Sequence, residues 1–342
     1  MKEISKDQAA SIELLFRRGL VNLDGAILEK DLIASDAVAL VASLSGQIMP
    51  YACEAPLEMV FCGGTCLSQA YGMIERISED VDFKVIVPGS VSRAQQGKAL
   101  SALKGALLQK MQDSGFSLVP DSLVARNENR YIAAAFAYQS QFDTSFALRP
   151  HLQVEITANT QAGTLRERAI SPIVSRIAGI ASGHPGVTVI GVEETMAEKV
   201  ISFLRRTAQD RAGLERGAYD DYLVRHLYDV HQIVRSGAVD VSVAAELFSV
   251  ILLRDQTQFG RQFPAFQADP RGVLAAELET LGRDPAHADR YRRRLAPMVY
   301  GEAVAFESAA KTFREVALHF LEIAGQAHRP PVIQKSSEKV RC

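Results

Sequence analysis

The sequence has no apolar run near the ~20 residues that a membrane span requires, and it does not open with a signal peptide. A cytoplasmic protein without membrane contact is expected. Charge of one sign is also lacking: 38 basic residues face 40 acidic ones, for a formal net charge of −2. That balance excludes a dedicated nucleic-acid coat and confines any RNA contact to a local patch. Cysteine is scarce. Of Cys53, Cys62, Cys66 and Cys342, only Cys62 and Cys66 fall close together, as a single C-x₃-C without a second Cys or His pair at zinc spacing. They read as small side chains at a tight strand-to-helix junction rather than as metal ligands or a disulfide.

At 342 residues the chain can bury one large core or two modest ones. Helical spacing of apolar residues marks 5–19 and 28–45, which read as helices covering one side of the elements after them. Met59, Val60 and Phe61 form a short strand running into Gly63-Gly64-Thr65, and helical spacing resumes over 67–75. From Ser78 the period becomes two, ending at Pro88-Gly89. A helix is expected at 91–114, strands at 131–138 and 152–157, and a loop-rich stretch before a short strand near 187–192. Helices are expected at 193–207, 218–236, 240–254, 271–282 and 300–325. This gives an α/β half over 1–190, a helical half over 191–327 and a tail over 328–342 that holds Pro330-Pro331 and few large apolar groups.

The informative segment is FCGGTCLSQAYGMIERISEDVDFKV, residues 61–85. A strand ends in Gly63 and Gly64, which let backbone approach a phosphate closely, and Thr65 offers a hydroxyl where the next helix aims its N–H groups. That helix leads to a strand whose Asp80, Asp82, Lys84 and Ile86 share one face. Asp80 and Asp82 have Cα atoms about 6.5–7 Å apart, from a rise of ~3.3 Å per residue. Carboxylates so placed repel unless a cation sits between them, and a hard divalent ion shared with substrate phosphates is the natural occupant. Glu155, on another strand whose apolar neighbours face away, is a candidate third acid, as two-metal phosphoryl chemistry uses. Alone, a D-x-D is most often a solvated face. The close succession of glycine turn, one helix and acid pair is what points to a site.

These residues resemble the signature of the AbiEii/AbiGii toxin family, within the DNA-polymerase-β-like nucleotidyltransferase superfamily. The family's G-G-T-x-L run matches Gly63-Gly64-Thr65-Cys66-Leu67, and its Arg-x-Ser-x-Asp-x-Asp run matches Arg76 to Asp82. Glu29-Lys30-Asp31 resembles its E-K-D, and Glu198-Lys199 with Arg225-His226-Leu227-Tyr228-Asp229 resembles its E-K…R-H-x-Y-D. Cys66 and Gln69 depart from the family's commoner serine and lysine. The resemblance implies an α+β fold: a mixed-sheet nucleotidyltransferase core with N-terminal covering helices and a C-terminal helical bundle, the site lying between the halves. It implies Mg²⁺ (or Mn²⁺) on Asp80, Asp82 and Glu155, and an NTP substrate held by Gly63, Gly64, Thr65, Arg76, Ser78, Lys199, Arg225 and Asp229. Asp80, Asp82, Glu155 and Lys199 would be catalytic. The role implied is the toxin of a toxin–antitoxin or phage-defence pair, with tRNA 3′ ends as favoured acceptor and a cognate antitoxin as partner.

Several of these residues also have plainer readings. Lys199 flanks the stripe of Met196, Val200, Phe203 and Leu204, from which it could snorkel to water or reach phosphates. Arg225 and Asp229, one turn apart, could pair with each other. Arg76 either contacts the triphosphate or anchors its loop by an ion pair. His226, amid a buried stripe, reads as a hydrogen-bonded core residue, and Tyr228 either packs or stacks. Glu29, Lys30 and Asp31 read as a helix start, where acids suit the dipole, or as support for the site. Arg290, Arg292, Arg293 and Arg294 form a solvated helix face or a local RNA-backbone patch. Nucleotide transfer onto a protein Ser, Thr or Tyr, a non-catalytic NTP-binding module, and a plain structural protein stand as alternatives.

Overall fold

The computed structural model describes residues 1–326 apart from 22, 50–54, 89–90, 144–147, 160–161, 181 and 216. Cys53, Cys342, the Gly89 strand stop and the tail expected at 328–342 lie outside the described residues.

The elements run α1 (Lys6–Arg17), α2 (Gly25–Ala42), β1 (Glu58–Cys62), α3 (Gly63–Gln69), β2 (Asp80–Ile86), α4 (Arg93–Asp113), β3 (Ser117–Leu118), β4 (Val124–Arg126), β5 (Tyr131–Ala137), β6 (Leu152–Asn159), β7 (Leu165–Ala169), α5 (Ile173–Ala178) and β8 (Gly186–Ile190). Helices then take over: α6 (Val192–Arg211), a 3₁₀ turn (Asp221–Val224), α7 (Arg225–Arg235), α8 (Val241–Phe259), α9 (Pro264–Ala268), α10 (Pro270–Thr280), α11 (Pro285–Arg290) and α12 (Phe306–Gln326).

The strands form one mixed sheet in the order β3-β5-β6-β2-β1-β8-β7, with β4 also on β5. β2 and β6 are parallel, as are β1 and β8; the other pairs are antiparallel. The mixed sheet expected of an α+β nucleotidyltransferase fold is therefore present. β6 alternates buried and half-buried residues along its whole length, while Ile132–Phe136 of β5 are all buried.

Helix α2 lies over the sheet against α1, α4, α5 and β1. Its buried residues occur all round the helix and include Leu28, Ile33 and Val38, as a helix enclosed on every side requires. A second core, of α6, α7, α8, α10 and α12, centres on Phe203, Leu227, Phe248, Phe313 and Phe320, and takes in Leu67 from α3. The cleft between this bundle and the sheet holds the acidic strand ends.

Several expected boundaries move. The helix expected over 67–75 begins at Gly63 and stops at Gln69, because β1 enters it without a loop. The helix expected at 218–236 is a 3₁₀ turn followed by α7, the turn capped by the Asp220 side chain on Tyr222 N–H. The last helix starts at Phe306 rather than 300, while α8 runs on to Phe259. The loop-rich stretch contains β7 and α5. β7, Leu-Arg-Glu-Arg-Ala, is an edge strand whose charges hide the alternation and blunt the edge against further pairing. Nor does α2 begin at Glu29. Asp24 caps its Ala26 N–H, so Glu29, Lys30 and Asp31 lie beyond the first turn and are buried.

Candidate active site

The site is built where β1 turns into α3 beside β2. Gly63 has φ +77°, and a methyl group there would overlap the Asp82 carboxylate. At Gly64 it would lie 2.6 Å from Ser78 Oγ and 2.9 Å from Arg76 Nη2. Both positions therefore require glycine for close approach, Gly63 for its backbone as well. The Thr65 side chain, expected to meet a phosphate, is turned into the framework. It is fully buried, and its hydroxyl donates to the Asp80 carbonyl at 2.5 Å, tying α3 to β2.

Strand register brings the acids together. Asp82 lies opposite Cys62 on β1 and level with Glu155 on the parallel β6. Burial first, then the charges of Asp80 and Glu155, push the Asp82 carboxyl up to about 8. Glu155 is raised by burial and by Asp80, against a hydrogen bond from the Tyr131 hydroxyl at 3.1 Å. Asp80 is engaged elsewhere, with Arg149 Nη1 2.8 Å from its Oδ1.

Asp82 and Glu155 line a cavity of about 390 Å³, with Gly63, Lys84, Lys199 and His226, closed on one side by Arg254, Asp255, Gln258 and Phe259 of α8. That size suits a small-molecule ligand. Asp80, Thr65, Arg76, Ser78, Arg225 and Asp229 do not line it. Among the described residues no three His, Cys, Asp or Glu side chains converge as a ready metal-holding group. Arg149 pairs with Asp80, whose charge nonetheless acts on both Asp82 and Glu155. The donor chemistry still fits a hard divalent ion. Asp82 has only like charges on the strand beside it, and Mg²⁺ is usually held by one or two carboxylates plus substrate phosphates.

Behind the cavity lies a buried charge group. Asp229 on α7 accepts from Arg76 Nε and Nη2, both at 2.7 Å, and its Oδ2 is 2.7 Å from Lys199 Nζ. Against the cost of burial, these two cations hold the Asp229 carboxyl well below the usual carboxylate range. Burial lowers the Lys199 ammonium. Arg76 anchors its loop through the ion pair with Asp229, its remaining nitrogen donating to the Ile77 carbonyl. Arg225 does not pair with Asp229, which points inward to Arg76; its Nε donates to Tyr222 O and its guanidinium lies 5.4 Å from the Tyr222 ring centre. His226 is half-buried at the cavity wall, its Nδ1 has no hydrogen-bond partner among the described residues, and burial holds it well below the usual imidazole range, hence neutral.

Tyr228 packs in the core, accepting from Gln232 at 2.9 Å. Glu29 accepts from the Ser140 hydroxyl and Gln141 N–H, Asp31 accepts from Gln69 and Ile173 N–H, and Lys30 pairs with Glu79 at 2.5 Å. These three join distant segments instead of starting a helix. Gln69, the departure from the family pattern, is thus absorbed by Asp31. Cys62 and Cys66 are free and buried at the strand-to-helix junction. In the arginine cluster, Arg290 and Arg294 pair with Asp221 at 3.1 and 3.0 Å and Arg293 with Asp289 at 2.9 Å, so much of its charge is already matched.

Sequence reasoning missed a second set of charges in the cavity wall. Lys84 Nζ is 2.9 Å from Glu194 and 2.6 Å from Glu198, which also accepts from Arg254 at 2.8 Å. Arg205 stacks 3.6 Å from the Phe259 ring centre. Lys84 could have been found, two residues beyond Asp82 on one strand face. Arg254 and Arg205 carry no local signal.

With this geometry in view, comparison with known proteins is specific. The family model described as "Nucleotidyl transferase AbiEii toxin, Type IV TA system" matches residues 53–316. Among solved structures, MenT4, a nucleotidyltransferase toxin from Mycobacterium tuberculosis H37Rv, superposes with a TM-score of 0.54 at 15% identity, covering 94% of this chain and 95% of that one. The Cid1 poly(U) polymerase bound to MgGTP gives a TM-score of 0.23 at 14% identity, over 45% of this chain and 38% of that one. No curated protein sequence matches. The motif-bearing strand ends, the mixed sheet and a family match across most of the length make this chain a member of the AbiEii nucleotidyltransferase toxin family.

Proposed function

We propose that the protein transfers a nucleoside monophosphate from an NTP to an acceptor hydroxyl, and that a tRNA 3′ end is the acceptor. The observation that carries this reading is the placing of Asp82 and Glu155 on neighbouring strands, with the Gly63 backbone against Asp82 and Lys199 on the same cavity wall. Residues 1–190 would supply the acids and the glycine turn, and 191–327 the cationic wall.

Asp82, with Asp80, would hold Mg²⁺ or Mn²⁺, which supplies positive charge to the phosphoryl oxygens when bound. The glycine turn admits the triphosphate close to the strand end. Lys199, aimed by Asp229, steadies its negative charge as a point charge. The acceptor oxygen attacks the α-phosphorus, its proton passes to Glu155, and the bond to the β-phosphate oxygen breaks to release pyrophosphate. Burial and the charge of Asp80 raise the Glu155 carboxyl above its ordinary value, which strengthens it as an acceptor for that proton. Positioning and charge stabilisation supply most of the acceleration. In the cell, expected to be the cytoplasm, a cognate antitoxin would restrain the activity.

The test is incubation with Mg²⁺, each of the four α-labelled NTPs and total bacterial RNA, beside an Asp82→Asn control. Acid-dependent label in tRNA-sized RNA is expected. Label on a protein band instead would move the acceptor to protein, and NTP binding without label in either would leave a binding module.

A further inference from the structure

We propose that Arg149 is a further working residue of this site: it caps Asp80 in the nucleotide-free protein, releases that carboxylate to a divalent cation, and then takes the phosphates of the incoming nucleotide. The inference rests on the nucleotidyltransferase reading above.

Asp80 occupies the same strand face as Asp82, yet it does not line the cavity. Its carboxylate meets Arg149, whose Nη1 lies 2.8 Å from Asp80 Oδ1. The two ends of Arg149 are held very differently. Its side chain is 44% exposed, over an Asp80 side chain that is 19% exposed. Its main chain is clamped on both sides: the N–H donates to Glu79 Oε2 at 2.9 Å, and the carbonyl accepts from Lys30 Nζ at 2.7 Å. Lys30 and Glu79 are buried and paired at 2.5 Å.

A buried ion pair contributes little net stability compared with apolar packing. This one fixes a main-chain position beside the acids, while the guanidinium at that position stays half-exposed. A charge in that place has two uses. In the free protein it offsets the repulsion within the acid group. As a half-exposed monovalent partner it is easily displaced, since pairs of this kind contribute only a factor of about two to five. Released from Asp80, its planar fork matches two phosphate oxygens at once, which the single ammonium of Lys199 does not. Lys30 and Glu79 then act as positioning residues for Arg149.

The test separates metal from nucleotide. Mn²⁺ binding to the nucleotide-free protein is measured by titration, and binding of non-hydrolysable α,β-methylene NTPs is measured at saturating Mn²⁺. Arg149→Gln is expected to tighten Mn²⁺ about two- to fivefold by removing a competing cation, and to weaken the nucleotide analogue about tenfold or more. Arg149→Lys keeps the charge but loses the fork, so it should bind Mn²⁺ nearly as the wild type does and still bind the analogue more weakly. A purely structural role would weaken both ligands together, and that result overturns the proposal, as does unchanged analogue binding in Arg149→Gln. Asp80→Asn/Asp82→Asn distinguishes the underlying reading: if Mn²⁺ binds that variant as it binds the wild type, the metal site and the Arg149 proposal fall together.

Discussion

Asp82 lies on the cavity wall beside two other carboxylates, Asp80 and Glu155, and its environment makes two predictions. Its folded pKa of about 8 lies above the unfolded value of ~3.9. The folded state therefore holds a proton that the unfolded chain releases. The stability this contributes is full below about pH 4 and is lost as pH rises toward 8. Without metal, thermal unfolding should move to lower temperature between pH 5 and pH 8.5, and Asp82→Asn should flatten that slope. Mg²⁺ should bind more tightly as pH rises through 8, restoring stability in the wild type and not in the variant; a Mg²⁺ shift independent of pH would contradict the assignment. The second concerns Gly63. A side chain there must displace the Asp82 carboxylate and adopt an unfavourable positive φ. Gly63→Ala should lower nucleotide transfer on the order of 100-fold or more, as a misplacement near 1 Å does, while circular dichroism shows the fold retained.

Among elements, the loop between α3 and β2 is tied to α6 and α7 by Arg76, Lys199 and Asp229. Removing the anion leaves two buried cations without a partner. Asp229→Ala should cost about 3–5 kcal/mol in denaturant unfolding, besides its effect on activity. Lys199→Met removes one cation and leaves the Arg76–Asp229 pair intact, so it should lose transfer with much less loss of stability. Equal destabilisation by the two variants would show Lys199 to be structural only. The strand bearing Asp80 and Asp82 and the glycine turn before it were legible because each lies in a short segment whose spacing reports its face. The partners of Asp229 were not. Arg225 sits at helical spacing from Asp229, yet Asp229 meets Arg76, which is 153 residues away in the chain.

On the scale of the whole molecule, the cavity exists because the bundle of α6, α7 and α8 stands against the end of the sheet. Lys84 of β2 joins the two through Glu194 and Glu198 of α6, and Arg254 of α8 extends the link. Lys84→Met should leave the buried Glu194 uncompensated and loosen the bundle on the sheet. Faster hydrogen exchange across α6 and α8 than across β5 and β6 is the expected outcome. Uniform exchange over both parts would argue that the contact is held by apolar packing alone.

By itself the sequence determined the mixed α/β character, the strand that carries Asp80 and Asp82, the glycine turn before it and the family to which the chain belongs. These follow from periodicity and from motifs whose residues are neighbours in the chain. Only the tertiary structure decided that Thr65 bonds the Asp80 carbonyl, that Arg76 pairs with Asp229, that His226 stands at the cavity wall, and that Arg149 pairs with Asp80. Each depends on where segments separated by tens of residues come to rest. The direction of a side chain there is set by burial and by the charge it meets, neither of which the local pattern contains.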